Sequence, residues 1–219
     1  MARHIHIDES PINLERLRQK LPKWLQRFLP SGGGLAHDRH GKGMFGFTVF
    51  LLSESMVFLS FFMAYIALRL TTTPWLPPGI PKLEVFKPAI NTVVLVSSSF
   101  VIYFADRALK RHNLTKFRWL WLLTSLMGTY FLVGQAVEWS HLSFGLTAGL
   151  FGTTFYLLTG FHGLHVLAGI FLQLIMLARS FIPGNYNQGH FGVSATSLFW
   201  HFVDVIWLVL FSLLYLWQP

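Results

Sequence analysis

The sequence lacks cysteine altogether and contains few charged residues. Without cysteine it cannot form disulfides, thiolate-ligated zinc sites, iron–sulfur clusters or copper sites that need a thiolate. Charged residues make up only 12% of its 219 residues, whereas hydrophobic residues make up 53%. The mean hydropathy is positive, at +0.50. This composition is typical of an integral membrane protein.

Positive charge is distributed unevenly, which argues against a nucleic-acid partner despite the formal net charge of +8. Of the 17 Lys and Arg residues, eight lie in residues 1–42 and five lie between Arg107 and Arg118. They flank long apolar runs instead of forming one basic surface. Cytoplasmic segments of membrane proteins have this arrangement under the positive-inside rule.

Five apolar runs are each long enough to supply the roughly 20 residues that cross a bilayer. We place these spans at about residues 44–68, 88–105, 117–139, 148–178 and 195–217. Alternate connections then hold 14 Lys and Arg residues on one side and 3 on the other. The excess predicts a cytoplasmic N-terminus and an external C-terminus. The expected fold is all-α, a polytopic membrane bundle of five transmembrane helices.

Residues 1–42 are expected to form a separate, polar and basic cytoplasmic segment before the five-helix domain of residues 43–219. Within it, residues 13–28 place Leu, Trp and Phe on one side and Arg and Lys elsewhere. That pattern suits an amphipathic helix lying on the membrane surface. A disordered tail is the alternative.

The fourth and fifth runs contain ionisable residues near their middles, namely His162, His165, His201 and Asp204. Such a side chain costs at least ~2.5 kcal/mol at bilayer depth on insertion scales, so it normally has a function or a partner. His201 and Asp204 are one helical turn apart and can pair or share a partner. By helical spacing they fall on one stripe with three further polar residues, Ser197, Ser212 and Tyr215.

The fourth run also contains a predicted stripe of small residues. At 100° per residue, His162 and His165 fall opposite this stripe. Small residues let neighbouring membrane helices approach closely, so we expect the fourth helix to contact protein on both faces. The stripe consists of Gly149, Gly152, Gly160 and Gly163.

Two glutamates lie in the other runs. Glu54 lies about 15 Å from the start of the first run, among aromatic residues. A carboxylate is disfavoured there, so we expect Glu54 to be protonated or paired with a buried histidine. Glu138 shares a face with Gln135 near the end of the third run, where partial hydration is expected.

The central histidines allow three interpretations. They could ligate haem, they could form a metal site with Glu54, Glu138 and Asp204, or they could join helices in a polar network. Haem ligation needs axial residues at matched depth in an open pocket. A carboxylate-rich metal site in a helix bundle takes Glu-x-x-His pairs from two helices, whereas this sequence has one such pair, Glu138-Trp139-Ser140-His141, at the end of the third run. We favour the network, with a proton path as a further alternative.

A series of short stretches in residues 44–217 points to one family. The stretches are Leu52-Ser53-Glu54, Pro77-Pro78-Gly79-Ile80, Asn91-Thr92-Val93-Val94-Leu95, Gly134-Gln135-Ala136-Val137-Glu138-Trp139, Phe151-Gly152-Thr153-Thr154-Phe155, Gly160-Phe161-His162-Gly163-Leu164-His165, His190-Phe191-Gly192 and Trp200-His201-Phe202-Val203-Asp204-Val205-Ile206-Trp207. In these stretches and in their order, the chain resembles subunit III of the haem–copper terminal oxidases, and especially that of cytochrome c oxidase.

The resemblance implies a redox-silent subunit of a proton-translocating oxygen reductase. It implies that the chain is not catalytic and binds no metal, while partner subunits carry haem and copper. It also implies direct contact with the catalytic subunit I, a complex that includes subunit II, and support of proton uptake and sustained turnover. Glu54 matches a carbodiimide-reactive glutamate, and Arg179 matches a residue that contacts lipid head groups, which allows for structural phospholipid.

The chain departs from many family members because it has five apolar runs instead of seven. It therefore resembles the five-helix, bacterial-type form. In some oxidases with this form, subunit I carries extra helices. The cell membrane of a prokaryote is the expected location, with another energy-transducing membrane as the alternative.

Two alternative functions stay open at this point. Subunit III of a quinol oxidase is similar, but Glu54 and Phe161 favour the cytochrome c type. A free-standing membrane cytochrome or transporter would use the same histidines, and would bind pigment or substrate in the isolated chain.

Overall fold

The computed structural model describes residues 37–77, 79–182, 186 and 190–218, with side chains described from residue 43 onwards. The predicted amphipathic helix over residues 13–28 and most of the basic N-terminal segment lie outside these residues. The chain divides into two compact units, Met1–Phe50 and Leu51–Pro219. Residues 51–218 of the second unit contain the interhelical contacts of the bundle.

Five helices account for the regular structure of the described residues, which contain no strand. They are α1 (His37–Thr71), α2 (Phe86–Lys110), α3 (Leu114–His141), α4 (Gly149–Arg179) and α5 (Phe191–Phe211), and α5 continues as a π-helical turn over Ser212–Leu216. Each is long and apolar enough to cross a membrane. The prediction of an all-α fold with five membrane-crossing helices is therefore confirmed.

Helix α2 is longer than the apolar run that predicted it. It begins at Phe86 and ends at Lys110, whereas the run covers only residues 88–105. The additional last turn is polar, and in it the Lys110 ammonium donates to the Asp106 carboxylate one turn earlier. Such i,i+4 pairs support a helix beyond its apolar segment. Apolar content alone therefore underestimates the length of the helix.

The connection between α2 and α3 is short because Asn113 takes part both in ending α2 and in capping α3. His112 has a φ of 58° and donates its backbone N–H to Leu109, while the N–H of Asn113 reaches the carbonyl of Ala108. This is the Schellman arrangement that ends a helix, here with histidine in the left-handed position. The Asn113 side chain then accepts from the backbone N–H of Lys116 and caps the start of α3.

Helices α2 to α5 pack as neighbours in the order α2–α3–α4–α5, and α5 closes the set against α2. Trp200 of α5 is fully buried at the centre of these contacts. Its indole lies against Gly128 of α3 and Gly169 of α4, where an added Cβ would approach it to 2.5 and 2.8 Å. Its Nε1–H donates to the Ser98 hydroxyl of α2 at 2.8 Å. One side chain of α5 therefore contacts all three other helices.

Helix α1 contacts α4 and α5 through long aromatic side chains. The Phe58 ring lies 5.1 Å from that of Phe161 on α4 and 6.1 Å from that of Phe202 on α5. Further along, the Tyr65 hydroxyl donates to the Leu213 carbonyl at 3.2 Å. Large aromatic rings therefore make the contacts between α1 and its neighbours. Among the other helices, by contrast, glycines allow close approach.

The two ends of the bundle can be distinguished without reference to a membrane. We call the end with Thr71, Phe86, His141 and Leu216 the Trp217 side, and the end with Lys110, Leu114 and Arg179 the Arg179 side. On the Trp217 side, the side-chain amide of Gln218 exchanges two 3.0 Å hydrogen bonds with the Leu83 backbone. The Arg69 guanidinium lies 4.3 Å from the Trp217 ring. The Gln218 bonds hold the connection between α1 and α2 against the C-terminal residues, and the Arg69 contact holds the end of α1 against them.

The predicted glycine stripe on α4 is only partly correct. Gly160 faces α3, where an added Cβ would lie 3.3 Å from Trp139. Gly152 instead faces the carbonyl of Gly145 in the preceding connection. Gly149 begins the helix with a φ of 68°, a conformation that favours glycine irrespective of packing. The regular 100° spacing could not separate these roles, because two of the glycines shape the start of the helix.

Candidate functional site

The ionisable residues within the helices lie in separate polar clusters, most of them at a contact between two helices. The first joins α1 to α4, where the Glu54 Oε2 lies 3.3 Å from the His165 Nε2. The His165 Nδ1 bonds the Phe161 carbonyl at 2.9 Å and so carries a proton. The Glu54–Nε2 contact then needs one further proton, held either by the carboxyl or by the ring. Glu54 thus has the histidine partner expected for it.

Aromatic rings surround this first cluster. The His165 ring lies 4.9 Å from Phe58, 4.8 Å from Phe161 and 6.3 Å from Phe199. An isolated charge is costly in such surroundings, whereas a pair that shares a proton is tolerated. The Glu54–His165 contact therefore joins α1 to α4 within largely aromatic surroundings.

The second cluster joins α2 to α5 through Ser99. The Ser99 hydroxyl donates to the Asp204 Oδ2, and its oxygen also lies 2.9 Å from the His201 Nδ1, within hydrogen-bond distance. His201 and Asp204 therefore share a partner, one of the two arrangements predicted for them. The sequence did not single out Ser99, although Ser97-Ser98-Ser99 forms an unusual run of hydroxyls in the second apolar segment.

One member of the predicted polar stripe on α5 is wrongly assigned. Ser212 is exposed, and its hydroxyl donates to the Leu208 carbonyl of its own helix at 2.8 Å. The α-helix ends at Phe211, and the π-helical turn that follows changes the angle between successive side chains. Tyr215 in the same turn is 1% exposed and does reach an interior polar group.

The third cluster is centred on Glu138, the interior polar group that Tyr215 reaches. Its Oε2 accepts from the Tyr215 hydroxyl at 3.0 Å and from the Gln135 side-chain amide at 3.1 Å. The cluster joins α3 to the last turn of the chain on the Trp217 side. Gln135 was expected from its helical spacing, whereas Tyr215 is 77 residues further along and is found only from the fold.

His162 lies in the fourth cluster and differs from the other histidines. It is 0% exposed, with its ring 4.8 Å from that of Trp207 and 5.8 Å from that of Phe131. No described residue hydrogen-bonds to either ring nitrogen. The adjacent Trp207 donates its Nε1–H to Thr92 on α2 at 2.9 Å. His162 is thus enclosed by aromatic rings where α3, α4 and α5 meet.

The positions of the histidines bear on the haem and metal interpretations. His162, His165 and His201 lie in three different clusters, and the last two each use a ring nitrogen for a hydrogen bond within the chain. The described residues contain no group of three or more His, Asp or Glu side chains arranged to hold a metal ion. The three central histidines are therefore not convergent ligands of one metal site.

Basic side chains mark the Arg179 side of the bundle. The Arg118 Nε donates to the Ser180 hydroxyl at 3.1 Å, and its guanidinium also bonds the Ser180 carbonyl just after α4. Arg179 lies near Gly192 at the start of α5. Burial raises the pKa of the nearby Tyr186 hydroxyl above its ordinary value, and the Arg179 charge partly offsets this. Arg179 therefore sits where two helices meet at the end of a span.

A cavity of about 460 Å³ opens on the Trp217 side between α2 and α3. Its wall includes Asn91, Tyr130 and Glu138, and its rim includes Lys82 and Lys87. The Asn91 side chain lies directly against Gly134, where an added Cβ would overlap with it. The cavity was not predictable from the sequence, because its wall is assembled from two helices and two connections.

Five apolar helices joined by intramembrane polar clusters define a multi-pass membrane protein. Residues 34–219 match the family model of cytochrome c oxidase subunit III. The chain belongs to the cytochrome c oxidase subunit III family, and the resemblance read from its motifs is confirmed.

Several relatives extend this match over most of the chain. The cytochrome c oxidase subunit 3 of Synechocystis sp. is 46% identical over 187 residues, which cover 84% of this chain and 80% of the relative. That of Thermostichus vulcanus is 47% identical over 183 residues, which cover 83% of this chain and 90% of the relative. That of Scyliorhinus canicula is 38% identical over 183 residues, which cover 80% of this chain and 70% of the relative. The chain therefore corresponds to most of the length of these subunits.

Proposed function

We propose that this chain is the non-redox subunit III of a cytochrome c oxidase, in which it stabilises the catalytic subunit I and supports proton uptake and sustained oxygen reduction. The observation that carries the proposal is its 46–47% identity to proteins named cytochrome c oxidase subunit 3. The chain acts within a complex that includes subunit II and is not itself catalytic.

The geometry of the histidines supports a non-redox role. A haem iron takes an axial ligand from a side chain that faces an open pocket. His165 is bonded to Glu54 and the Phe161 carbonyl, and His162 is enclosed by Trp207 and Phe131. Haem and copper are accordingly assigned to the partner subunits, and the buried ionisable residues of this chain to joining its helices.

The Glu54–His165 pair is the best candidate for any proton-related effect of this chain. It shares a proton between a carboxyl and an imidazole, and both side chains are only partly buried. We assign Glu54, Glu138, His162, His165, His201 and Asp204 a primarily structural function. The influence of the chain on proton uptake is then exerted through its contact with subunit I.

The charge distribution supports an orientation with the Arg179 side in the cytoplasm. Residues 107–118 contribute five Lys and Arg to that side, and Arg179 adds another. The Trp217 side has Arg69, Lys82 and Lys87. By the positive-inside rule, the N-terminus is then cytoplasmic and the C-terminus external. The membrane is the cell membrane of a prokaryote or another energy-transducing membrane.

Phospholipid is the proposed non-protein ligand of this chain. Arg179 ends a membrane-crossing helix on the basic side, at the depth where lipid phosphates lie. An arginine can bind a phosphate with two parallel hydrogen bonds. The lipid is structural in this proposal and takes no part in electron transfer.

A reduced-minus-oxidised visible spectrum of the tagged chain, extracted gently from its native membrane, tests the proposal. We expect haem bands from a co-purifying large subunit, and we expect them to disappear once the chain is separated from it. Bands that stay with the separated chain would make His162, His165 and His201 ligand candidates and would favour a free-standing membrane cytochrome. Absence of haem bands from the gentle extract would contradict the proposal that the chain belongs to an oxidase complex.

A further inference from the structure

One ring nitrogen on the outward face of α5 has no partner within the described chain. His201 is half-buried, and its Nδ1 is used by Ser99. No described residue bonds to its Nε2, and the described residues do not enclose that atom. The imidazole therefore holds one nitrogen inside the bundle and presents the other at its surface.

The depth of His201 excludes water and lipid head groups as ordinary partners for this nitrogen. His201 follows Phe191, the first residue of α5, by ten positions, which corresponds to about 15 Å along the helix. The hydrocarbon core of a bilayer is ~30 Å thick, so the ring lies near its middle. Lipid tails offer no hydrogen bond, and an unsatisfied polar group there is unfavourable.

His201 belongs to a continuous outward surface, which we call the α2/α5 face. On α5 it lies between exposed apolar residues at helical spacing, and on α2 an exposed tyrosine lies one turn from Ser99. The face consists of Tyr103, Leu198, His201, Val205 and Leu208. Its composition is apolar at the edges with a hydrogen-bonding group at the centre, which suits contact with another membrane helix.

The outward faces of α3 and α4 differ from this surface. Most of their exposed residues in the middle of the spans are hydrocarbon side chains that lipid tails can cover without cost. They include Leu126 and Val133 on α3, and Leu164, Leu167 and Phe171 on α4. On α3 the exposed Thr129 hydroxyl donates to the Ser125 carbonyl, and the exposed Tyr130 lines the cavity that opens on the Trp217 side. Outside that cavity, the described faces of α3 and α4 therefore need only lipid, whereas the α2/α5 face needs a polar group from protein.

We infer that the α2/α5 face is the surface by which this chain docks onto the catalytic subunit of the oxidase, with His201 hydrogen-bonded to a polar side chain or backbone group of a membrane helix of that subunit. The inference rests on the proposed function, because that function supplies the partner. Ser99 and Asp204 orient the imidazole for this contact. A neutral His201 accepts at Nε2 when Nδ1 carries the proton and donates there in the other tautomer, so a hydroxyl or a side-chain amide, which can do either, fits opposite it.

Tryptophan substitutions at two matched valines test the location of the interface. Val205 on the α2/α5 face is 59% exposed, and Val133 on α3 is 57% exposed, so both side chains are equally free within the chain. The full oxidase is purified through a tag on another subunit, and the amount of this chain per haem is measured. We expect Val205→Trp to lower that amount about tenfold, because an added indole obstructs a packed interface, and Val133→Trp to leave it unchanged.

Two substitutions of His201 test the hydrogen bond itself. His201→Leu keeps the volume and removes both ring nitrogens, whereas His201→Gln keeps an amide that can bond both Ser99 and a partner. We expect retention of the chain in the oxidase to fall with leucine and to recover largely with glutamine. The level of each variant in the membrane before extraction shows whether the chain folds. If Val205→Trp is absent from the membrane, Leu208→Trp is used in its place.

Each result separates the inference from the function on which it rests. Normal retention of Val205→Trp and Leu208→Trp would overturn the docking face while leaving the oxidase assignment intact. Equal loss of Val133→Trp would also overturn it. A self-associated chain dispersed by Val205→Trp would assign the face to a second copy. If the wild-type chain fails to co-purify with haem, the proposed function falls, and the docking inference falls with it.

Discussion

At the scale of single residues, the buried tryptophans act both as packing volume and as hydrogen-bond donors. Trp121, Trp200 and Trp207 are fully buried, and each indole N–H reaches an acceptor on another helix. The acceptors are the Gln173 carbonyl, the Ser98 hydroxyl and the Thr92 hydroxyl. A misplaced helix would leave these donors unsatisfied in an apolar medium, so the bonds select which helix faces meet.

Gly169→Ala should destabilise the bundle, because its Cβ would lie 2.8 Å from the rigid, enclosed Trp200 indole. Overpacking of this kind costs typically 1–3 kcal/mol, so we expect about that loss in the free energy of unfolding. Unfolding by a denaturing detergent in mixed micelles gives the measurement. Gly163→Ala in the same helix is the control, since its Cβ would meet Leu132 at an ordinary 3.8 Å. Equal stability of the two variants would show that Trp200 does not pack as described.

Glu54→Gln should abolish modification by a hydrophobic carbodiimide while the initial rate of oxygen reduction stays near that of the wild type. The amide can still bond His165, so the contact between α1 and α4 is kept. Labelling and initial oxygen uptake are measured on the same purified complex. Loss of all initial turnover with the complex intact would show that Glu54 has more than a supporting function.

The sequence was sufficient to locate Glu54, His201 and Asp204, because an ionisable residue is conspicuous within an apolar run. It was not sufficient to find Ser99. Many serines and threonines of membrane helices bond to their own backbone, as the Ser97 hydroxyl does to the Val93 carbonyl. Which serine reaches a neighbouring helix depends on how the two helices are rotated, and apolar sequence patterns do not fix that rotation.

At the scale of elements, α5 organises the bundle. It supplies Trp200 to three helices, Asp204 and His201 to Ser99 on α2, and its last turn to Glu138 on α3. The five runs were predictable from length and hydropathy, including their number and order. The π-helical turn over Ser212–Leu216 was not, because hydropathy and helical spacing do not distinguish a π-helical turn from an α-helical one.

Tyr215→Phe should weaken the contact between this last turn and α3. It removes the 3.0 Å bond to the Glu138 carboxyl and changes little in volume. We expect a loss of about 1 kcal/mol in the free energy of unfolding. The control is Tyr130→Phe, because Tyr130 is exposed and its hydroxyl has no hydrogen bond among the described residues. If both variants unfold alike, the Tyr215–Glu138 bond does not stabilise the fold.

At the scale of the whole molecule, orientation in the membrane follows from charge and can be tested directly. The chain has no native cysteine, so a single introduced thiol can be labelled without background. Thr115 is exposed on the Arg179 side and Ser143 on the Trp217 side. With a membrane-impermeant maleimide on intact cells, we expect Ser143→Cys to react and Thr115→Cys to react only after permeabilisation. The opposite pattern would invert the proposed topology.

In the proposed function, this chain supports oxygen reduction without carrying redox chemistry. The most direct test is the time course of oxygen uptake by the purified oxidase with and without this chain, at equal haem. We expect equal initial rates and a faster loss of activity during turnover when the chain is absent. If oxygen reduction were abolished from the first turnover without it, or if the two time courses were identical, the account would be contradicted.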